Sequence, residues 1–352
     1  MSTYVYAGAA DWGGKDPAKC NRGLYRLSTD TGTWTALEKG LPEQVEVRCI
    51  TLHPGNAGVL FAGTQAGPYR STDAGDTWEP MDFPDDEPVV WSIEVHPADA
   101  RVMYAGTQQM AIYRSDDSGG HWRRLPVPNP DGLCVMGFPT RVIRLAIDPT
   151  NPDEIYAGLE VGGLVRSLDG GTTWTDCNAP LLHLAAQESF TQRHGSRRAS
   201  EGMMDTHALA VSAAQPGTVF LANRLGLFRS ADRGEHWSDM AIGRFSPLTY
   251  ARDVKVFPHD AHTLLGAFSI AAVSDAGSLY RSTDLGATWS RFDHDVSIDS
   301  TLMIIAASTQ SPERVYCAAR RGQVFGTEDG GRSWQACPLP AGVEGIYALS
   351  CV

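Results

Sequence analysis

The chain has 352 residues, with 29 Lys plus Arg against 41 Asp plus Glu, and a formal net charge of −12. This length holds one large domain or two smaller ones, and an apolar content of 42% is too high for a disordered chain. The acidic balance argues against nucleic acid or an anionic membrane surface as a partner, because both attract basic surfaces. The longest apolar runs are far shorter than a membrane span.

The N-terminal sequence MSTYVYAGAADWGG has neither a basic stretch nor a sustained apolar run, so we expect no secretory signal. The seven cysteines are scattered and show no CxxC spacing. They therefore indicate neither a disulfide framework nor a structural zinc site. Together these features predict a cytoplasmic protein.

One segment recurs seven times, as in PYRSTDAGDTW (68–78) and LYRSTDLGATW (279–289). Most copies end a strand with aromatic-Arg-Ser, continue with a turn S-x-D-x-G-x-[T/S/H], and place a tryptophan nine residues after the aromatic. Aspartate accepts backbone hydrogen bonds within a tight turn, and glycine supplies the positive φ. In the first copy the aspartate, Asp30, comes one place late, which predicts an irregular turn. The seven turns lie near residues 28–34, 71–78, 115–122, 167–174, 230–237, 282–289 and 327–334.

These copies resemble the Asp-box, or BNR, repeat of sialidases, sortilin-type receptors, xyloglucanases and photosystem II assembly factors. Before each turn a second unit recurs, as in SIEVHPADARVMYAG (92–106), which is typical of two short strands joined by a turn. Four strands, here named A to D, in each of seven repeats predict an all-β fold: a single seven-bladed β-propeller over 1–352. The chain begins with a strand B and ends with a strand A, so we expect the N- and C-terminal strands to share one blade.

Loop lengths distinguish the two faces of this propeller. The A–B and C–D turns keep a constant length, whereas the B–C and D–A loops vary and share the other face, around the channel mouth. The longest connection runs 35 residues from Trp174 to Leu209 and contains a polar, Arg-rich insertion, 178–206. We interpret the insertion as a loop that serves as a lid or binds a partner. The functional site is expected on the variable face.

Candidate acid–base residues lie next to this insertion. Asp205 and His207 are two places apart in a predicted strand, so their side chains point to one side, and the carboxylate can raise the imidazole pKa. Glu160, after strand B of the fourth repeat, is the third candidate catalytic group. The alternative is that His207 only packs at the end of a strand. The sequence favours no cofactor, although Asp205 and His207 with His183 or His194 are a possible divalent-metal site.

Arginine accounts for 25 of the 29 basic residues, and several arginines fall at the channel-mouth ends of strands A and B. Such a cluster predicts a pocket for a small anion, unless the arginines pair with neighbouring acids such as Glu46. Trp12 and Trp91 lie outside the repeated turns, where an exposed ring can stack on a sugar, and core packing is the equal alternative for Trp91. The predicted substrate-binding set is Arg48, Arg144, Arg224, Arg252, Arg320, Gln65, Gln108, Trp91, Trp12 and His194.

The resemblance implies different functions in different relatives. Sialidases have six blades and an N-terminal Arg-Ile-Pro that is absent here, and xyloglucanases place catalytic carboxylates between two propellers. Sortilin-type receptors are secretory and disulfide-bonded, whereas the photosystem II assembly factors are single propellers that bind protein through an Arg-rich face.

Two functions are therefore expected. The first is a cytoplasmic propeller enzyme, a glycoside-hydrolase-like hydrolase or a lyase, which acts on a small anionic, carbohydrate-like substrate through His and carboxylate chemistry. The second is a non-catalytic scaffold or assembly factor that docks an acidic protein partner on the same Arg-rich face.

Overall fold

The computed structural model describes residues 3–10, 22–84, 89–134 and 137–352. Within these ranges the strands form seven four-stranded antiparallel sheets, numbered here as blades 1 to 7 in the order of the repeats. This confirms the predicted seven-bladed propeller. No helix in the described ranges is long and apolar enough to cross a membrane.

The strand bounds follow the repeats. The strands of the first half are β1 (Tyr4–Ala9), β2 (Gly23–Ser28), β3 (Thr33–Ala36), β4 (Val47–His53), β5 (Asn56–Thr64), β6 (Gly67–Ser71), β7 (Glu79–Pro80), β8 (Val90–Val95), β9 (Met103–Thr107), β10 (Ile112–Ser115), β11 (Arg123–Arg124), β12 (Arg141–Ile147), β13 (Ile155–Glu160), β14 (Gly163–Ser167) and β15 (Thr175–Asp176). Those of the second half are β16 (Thr206–Val211), β17 (Val219–Asn223), β18 (Gly226–Ser230), β19 (Ser238–Asp239), β20 (Tyr250–Phe257), β21 (Asp260–Ser269), β22 (Gly277–Ser282), β23 (Ser290–Arg291), β24 (Leu302–Ala307), β25 (Val315–Ala319), β26 (Val324–Thr327), β27 (Gln335–Ala336) and β28 (Ile346–Cys351).

The ring is closed by the two ends of the chain. Blade 1 has the order β28-β1-β2-β3, and the register pairs Val5 with Cys351 and Gly8 with Ala348. The expectation that the terminal strands share one blade is therefore confirmed. The seven strands A line the centre, and each contacts the strand A of the next blade, including β28 against β4.

The apolar core is divided among the seams between neighbouring blades. The described residues form seven buried clusters, one at each seam, including the seam between blade 7 and blade 1. A glycine in strand B permits this close packing: a Cβ at Gly8 would lie 2.6 Å from Val47 of the next blade, and one at Gly106 would lie 2.4 Å from Val142. The recurring Ala-Gly in the sequence thus reflects a close approach between sheets.

The repeated turn is held by its aspartate, as blade 2 shows. Asp73 accepts hydrogen bonds from the Thr77 backbone N–H at 2.9 Å and from its hydroxyl at 2.6 Å, while Ser71 Oγ accepts from Gly75 N at 2.8 Å. The Thr77 hydrogen bonds lower the pKa of Asp73. The Trp78 indole N–H donates to the Gly75 carbonyl at 3.1 Å. The aspartates of this turn therefore have a structural role.

The arginine of the repeated segment links blades. Arg26 of blade 1 donates to the Ala74 carbonyl in the turn of blade 2 at 2.7 Å, and Arg114 of blade 3 donates to Gly170 of blade 4 at 2.8 Å. The first repeat departs from the pattern because Thr29 takes the place of the aspartate. There the chain makes a hairpin in which Gly32 N donates to the Ser28 carbonyl at 2.8 Å.

The insertion 178–206 differs from the predicted loop. It forms three short helices: α1 (Asn178–Ala185), α2 (Glu188–His194) and α3 (Ser196–Met204). Leu181, Phe190 and Met203 are at most 2% exposed and pack in one cluster with Phe228 of blade 5. Apolar residues three and four places apart, such as Leu181, Leu184 and Ala185, form the buried face of a helix. The many arginines of the segment made this spacing hard to recognise in the sequence.

Candidate functional site

A cavity of about 880 Å³ opens at the channel mouth, on the face that carries the variable loops. We call it the mouth cavity. Its wall includes residues of the helices α2 and α3 and residues near the starts of the strands β12, β16, β20 and β28. Residues at or just after the ends of β13, β17 and β21 complete it. Antiparallel pairing brings the starts of strands A and the ends of strands B to one edge, so residues distant in sequence meet there.

Asp205 and His207 meet Tyr250 in the wall of this cavity. His207 Nδ1 lies 2.8 Å from the Ala251 carbonyl oxygen, which can only accept, so Nδ1 carries a hydrogen. The other ring nitrogen, Nε2, lies 3.2 Å from the Tyr250 hydroxyl and 3.3 Å from Asp205 Oδ2. The nitrogen Nε2 can therefore accept the Tyr250 proton when the ring is neutral, or donate to Asp205 when the ring is charged.

Asp205 is held as a carboxylate. Burial alone would raise its pKa, but the charges and hydrogen bonds of His207 and Arg224 hold the pKa well below its ordinary value. Arg224 Nε donates to Asp205 Oδ2 at 2.5 Å. The second carboxylate oxygen, Oδ1, is buried and has no hydrogen-bond partner among the described residues. It is therefore a buried acceptor whose hydrogen-bonding capacity is unused.

Tyr250 keeps its proton at neutral pH. Burial raises the pKa of Tyr250 to about 12, although the nearby Arg252 acts in the opposite direction. The phenol is therefore a hydrogen-bond donor or proton donor rather than an anion. Arg252 is 6% exposed and contributes a buried guanidinium to the same wall.

Glu160 lies on the other side of the cavity and is paired. Arg141 Nη1 donates to Glu160 Oε2 at 2.7 Å. The Arg141 guanidinium carbon also lies 4.4 Å from the ring centroids of both Trp91 and Phe138. These ring contacts orient Arg141 by cation–π attraction. Glu160 is therefore ion-paired with an arginine whose position is fixed.

The charge of the wall is locally positive. Four guanidinium groups face three carboxylates, which leaves one net positive charge in a chain whose overall charge is −12. The apolar part of the rim includes Ile270, which is 60% exposed. The charged residues of the described wall are Arg141, Arg198, Arg224, Arg252, Glu160, Glu201 and Asp205.

Trp91 is not an exposed stacking platform. Its side chain is 2% exposed, and the guanidinium carbons of Arg48 and Arg141 each lie 4.4 Å from its ring centroid. The expectation of an exposed ring is therefore wrong for Trp91. Arg48 also forms an ion pair with Glu46, as in the alternative that these arginines pair with neighbouring acids.

Several predicted binding residues do not line the mouth cavity. Arg144 points into the central channel below. Gln65 holds the D–A loop of blade 1, because its side chain accepts from Glu46 N at 2.8 Å. Gln108 forms a backbone bridge to Arg141 beside the cavity. Arg320 follows β25, where its backbone bonds to Thr301 and Gly345.

The histidines of the insertion do not assemble a metal site. His194, at the end of α2, lines the cavity, and burial and the neighbouring Arg193 lower its pKa. His183 is exposed on α1. Among the described residues no three His, Cys, Asp or Glu side chains are placed to hold a metal ion. Trp12, the remaining predicted residue, lies outside the described residues.

Sequence reasoning missed Tyr250 and Tyr347, which line the mouth cavity together with Phe138. Tyr250 opens a strand A two residues before Arg252, and Tyr347 lies in the last strand of the chain. The signal that could have found both tyrosines is their position at the start of a strand A, which we used to select arginines only. The cavity therefore contains phenol groups as well as guanidinium and carboxylate groups.

Comparisons with known proteins agree with the resemblance. A family model described as "Sortilin-Vps10: Sortilin, neurotensin receptor 3" matches residues 67–178. Xyloglucanase Xgh74A of Acetivibrio thermocellus is 24% identical over 59% of this chain, and an oligoxyloglucan-reducing end-specific xyloglucanase of Emericella nidulans is 26% identical over 60%. The chain spans about a quarter of the length of these relatives, 27% and 25%.

Solved structures show the same fold. The GH74 xyloglucanase from Xanthomonas campestris superposes with a TM-score of 0.65 at 18% identity, over 95% of this chain and 55% of that one. YCF48 from Cyanidioschyzon merolae gives a TM-score of 0.58 at 15% identity, over 87% of this chain and 88% of that one. The repeats, the fold and these similarities together support a place in the Asp-box-like propeller superfamily.

Proposed function

We propose that this propeller is an enzyme of the hydrolase type, with its active site in the mouth cavity. The observation that carries the proposal is the contact of His207 Nε2 with both Tyr250 and the ionised Asp205, inside a cavity with a positive wall. Its distant relatives that act on carbohydrate are hydrolases, and this supports the reaction class.

The proposed substrate is a small carbohydrate-like molecule that carries a carboxylate. The guanidinium groups of Arg224 and Arg252 would hold this carboxylate. The apolar rim at Ile270 suits the apolar face of a sugar ring. Specificity for an acidic sugar over its neutral form follows from the excess of positive charge.

In the proposed reaction the ring of His207 moves the proton. Its Nε2 accepts a proton from water as the water oxygen bonds to the anomeric carbon and the glycosidic C–O bond breaks, and Asp205 stabilises the resulting imidazolium. Tyr250, protonated at neutral pH, donates its proton to the departing oxygen, and the imidazolium then returns a proton to the phenolate. If the substrate is a uronate, the same groups suit β-elimination. His207 would remove the proton next to the carboxylate, a C=C bond would form as the C–O bond at the β carbon breaks, and Tyr250 would protonate the departing oxygen.

Calorimetric titration of uronates and of the matching neutral sugars tests the binding step. We expect the uronates to bind more tightly, and Arg224→Ala to weaken uronate affinity by about 10–100-fold, because a charge-assisted contact contributes about 1.5–3 kcal/mol. Arg101→Ala is the matched control, since Arg101 is exposed and pairs with Asp99. Equal affinity for neutral sugars, or no effect of Arg224→Ala, would overturn the proposed substrate class.

Turnover assays then distinguish the reactions. Hydrolysis releases a reducing end, and β-elimination gives an unsaturated product that absorbs in the ultraviolet. We expect His207→Gln to abolish turnover while uronate still binds. A variant as active as the parent chain would remove His207 from the mechanism.

The second candidate is a non-catalytic scaffold that docks an acidic protein. It is favoured by the likeness to YCF48, because that match covers nearly all of both chains. A labelled acidic peptide that binds the mouth, in a chain that binds no sugar, would support this alternative. The cytoplasmic location predicted from sequence stays a prediction.

A further inference from the structure

A second cavity, of about 340 Å³, lies in the central channel and is lined by the strands A. Three charged residues from three different blades line it: Glu94 of β8, Arg144 of β12 and Lys255 of β20. Tyr347 lines both this channel cavity and the mouth cavity above it. The channel cavity belongs to neither the proposed active site nor the repeated turns.

These three side chains are not paired with one another. Within the described ranges, Glu94 and Lys255 make no ion pair or hydrogen bond, and Arg144 makes one weak bond of 3.4 Å to the Ile143 carbonyl. The Arg144 Nε is buried without a partner. All three residues are partly buried, and nearby charges or hydrogen bonds stabilise charged groups in such positions.

The neighbouring polar groups do not supply this compensation. The hydroxyl of Ser92 donates to the Val142 carbonyl at 2.8 Å, and that of Thr51 donates to the Ile93 carbonyl at 2.7 Å. Two cations and one carboxylate leave the channel cavity with one net positive charge. Cys49 also lines it, and burial raises the pKa of Cys49 to about 12, so the thiol adds no negative charge at neutral pH.

We propose that the channel cavity binds a small inorganic oxyanion between Arg144 and Lys255. The anion supplies the missing negative charge and accepts hydrogen bonds from the guanidinium and ammonium groups. The volume of about 340 Å³ accommodates an ion of this size together with water. The site is independent of the proposed hydrolase activity.

Glu94 makes the affinity depend on pH. Burial raises the pKa of Glu94 to about 7, against the opposite influence of Lys255 and Arg144. Below that pH the carboxyl group is neutral and the cavity has two positive charges, so an anion binds more tightly. Above it the carboxylate competes with the anion for the same two cations. The titratable groups that share the cavity with Glu94 are Arg144, Lys255, Cys49, Cys351 and Tyr347. Burial raises the pKa of both thiols and of the phenol, so these three are neutral near pH 7.

Sulfate is the probe, because its charge is constant between pH 6 and 8, and titration is followed by calorimetry at constant ionic strength. We expect tighter binding at pH 6 than at pH 8 and about a tenfold or larger loss of affinity in Lys255→Met. Lys255→Arg keeps the charge and should retain binding. Glu94→Gln should bind sulfate equally well at both pH values.

One control separates this site from the mouth cavity. Arg224→Ala changes the mouth only and should leave unchanged the part of the sulfate binding that Lys255→Met removes. The proposal is overturned if Lys255→Met binds sulfate as the parent chain does, or if Arg224→Ala and not Lys255→Met abolishes binding. If Lys255→Met does not fold, equal sulfate affinity at both pH values in the parent chain would also overturn it.

Discussion

At the scale of the residue, the mouth cavity depends on one buried carboxylate. Asp205 is 7% exposed, and its carboxylate contacts both His207 and Arg224. The pKa of Asp205 is lower in the folded chain than its ordinary value near 4, so the group stabilises the fold when ionised. This contribution is present above the unfolded pKa and is lost as the pH falls toward the folded one.

Asp205→Asn tests this linkage. Near pH 7 we expect the variant to lose about 2 kcal/mol of unfolding free energy, a value below that of a fully buried pair because Arg224 is partly exposed. The difference should shrink as the pH falls from about 5 to 2, since the carboxylate of the unfolded parent chain takes up a proton in this range while that of the folded chain keeps its charge to lower pH. Urea denaturation at several pH values measures it.

Asp30→Asn is the control for that series, because Asp30 is exposed in the irregular first turn. It should change the unfolding free energy little at any pH. A deficit in Asp205→Asn that stays constant across the acid range would contradict the assigned role of the charge.

At the scale of the element, the insertion is part of the core and not a free lid. Phe190 of α2 is 2% exposed, and its ring centroid lies 5.9 Å from that of Phe228 in blade 5. The same helix ends at His194, which lines the mouth cavity. Apolar packing on one side of the helix therefore positions a candidate ligand-binding residue on the other.

Phe190→Ala should destabilise the chain by about 3 kcal/mol, as expected for a large cavity in a packed core. We also expect faster amide exchange throughout 188–204 and weaker uronate binding, because His194 loses its support. Urea denaturation and hydrogen exchange measure the two effects. Gln192→Ala, an exposed change in the same helix, is the matched control. A mobile lid would instead leave the unfolding free energy unchanged.

At the scale of the whole molecule, the ring is held by an apolar cluster at each seam. Among the described residues, arginine-to-carbonyl hydrogen bonds also join neighbouring blades at three seams, from Arg26 to Ala74, from Arg114 to Gly170 and from Arg166 to Arg233. Blade 7 has Gly326 in the place of this arginine, and the Tyr316 hydroxyl donates to Glu328 within the same blade at 2.7 Å. The strand pairing between β28 and β1 then closes the ring.

Gly106→Val should open the seam between blades 3 and 4. The added Cβ would lie 2.4 Å from both Ser92 Oγ and Val142 Cγ1, so the sheets must separate. We expect a loss of about 3 kcal/mol of unfolding free energy, measured by urea denaturation with tryptophan fluorescence. Gly137→Ala is the control, because a Cβ there meets no atom within 4 Å. Equal stability of the two variants would contradict the packing role of the glycine.

The repeats in the sequence determined most of the architecture. Aspartate, glycine and tryptophan at fixed spacing form a local turn whose hydrogen bonds lie within eight residues, so each blade and its edges could be predicted without tertiary contacts. The shared terminal blade and the variable face followed from counting strands. The helices of the insertion were missed because Leu181 and Phe190 are scattered among polar residues, and their partners lie in other segments.

Only the tertiary structure decided which residues share the mouth cavity and which the channel. A residue at the start of a strand A can point upward, inward or between blades, and a shift of one place in register selects among these directions. Arg48 and Arg252 occupy the same bulge position in their strands A, and Arg144 lies one place later in its own. Arg48 pairs with Glu46, Arg252 lines the mouth and Arg144 enters the channel. Blade membership is encoded locally, whereas the neighbours of a side chain depend on contacts between blades distant in the chain.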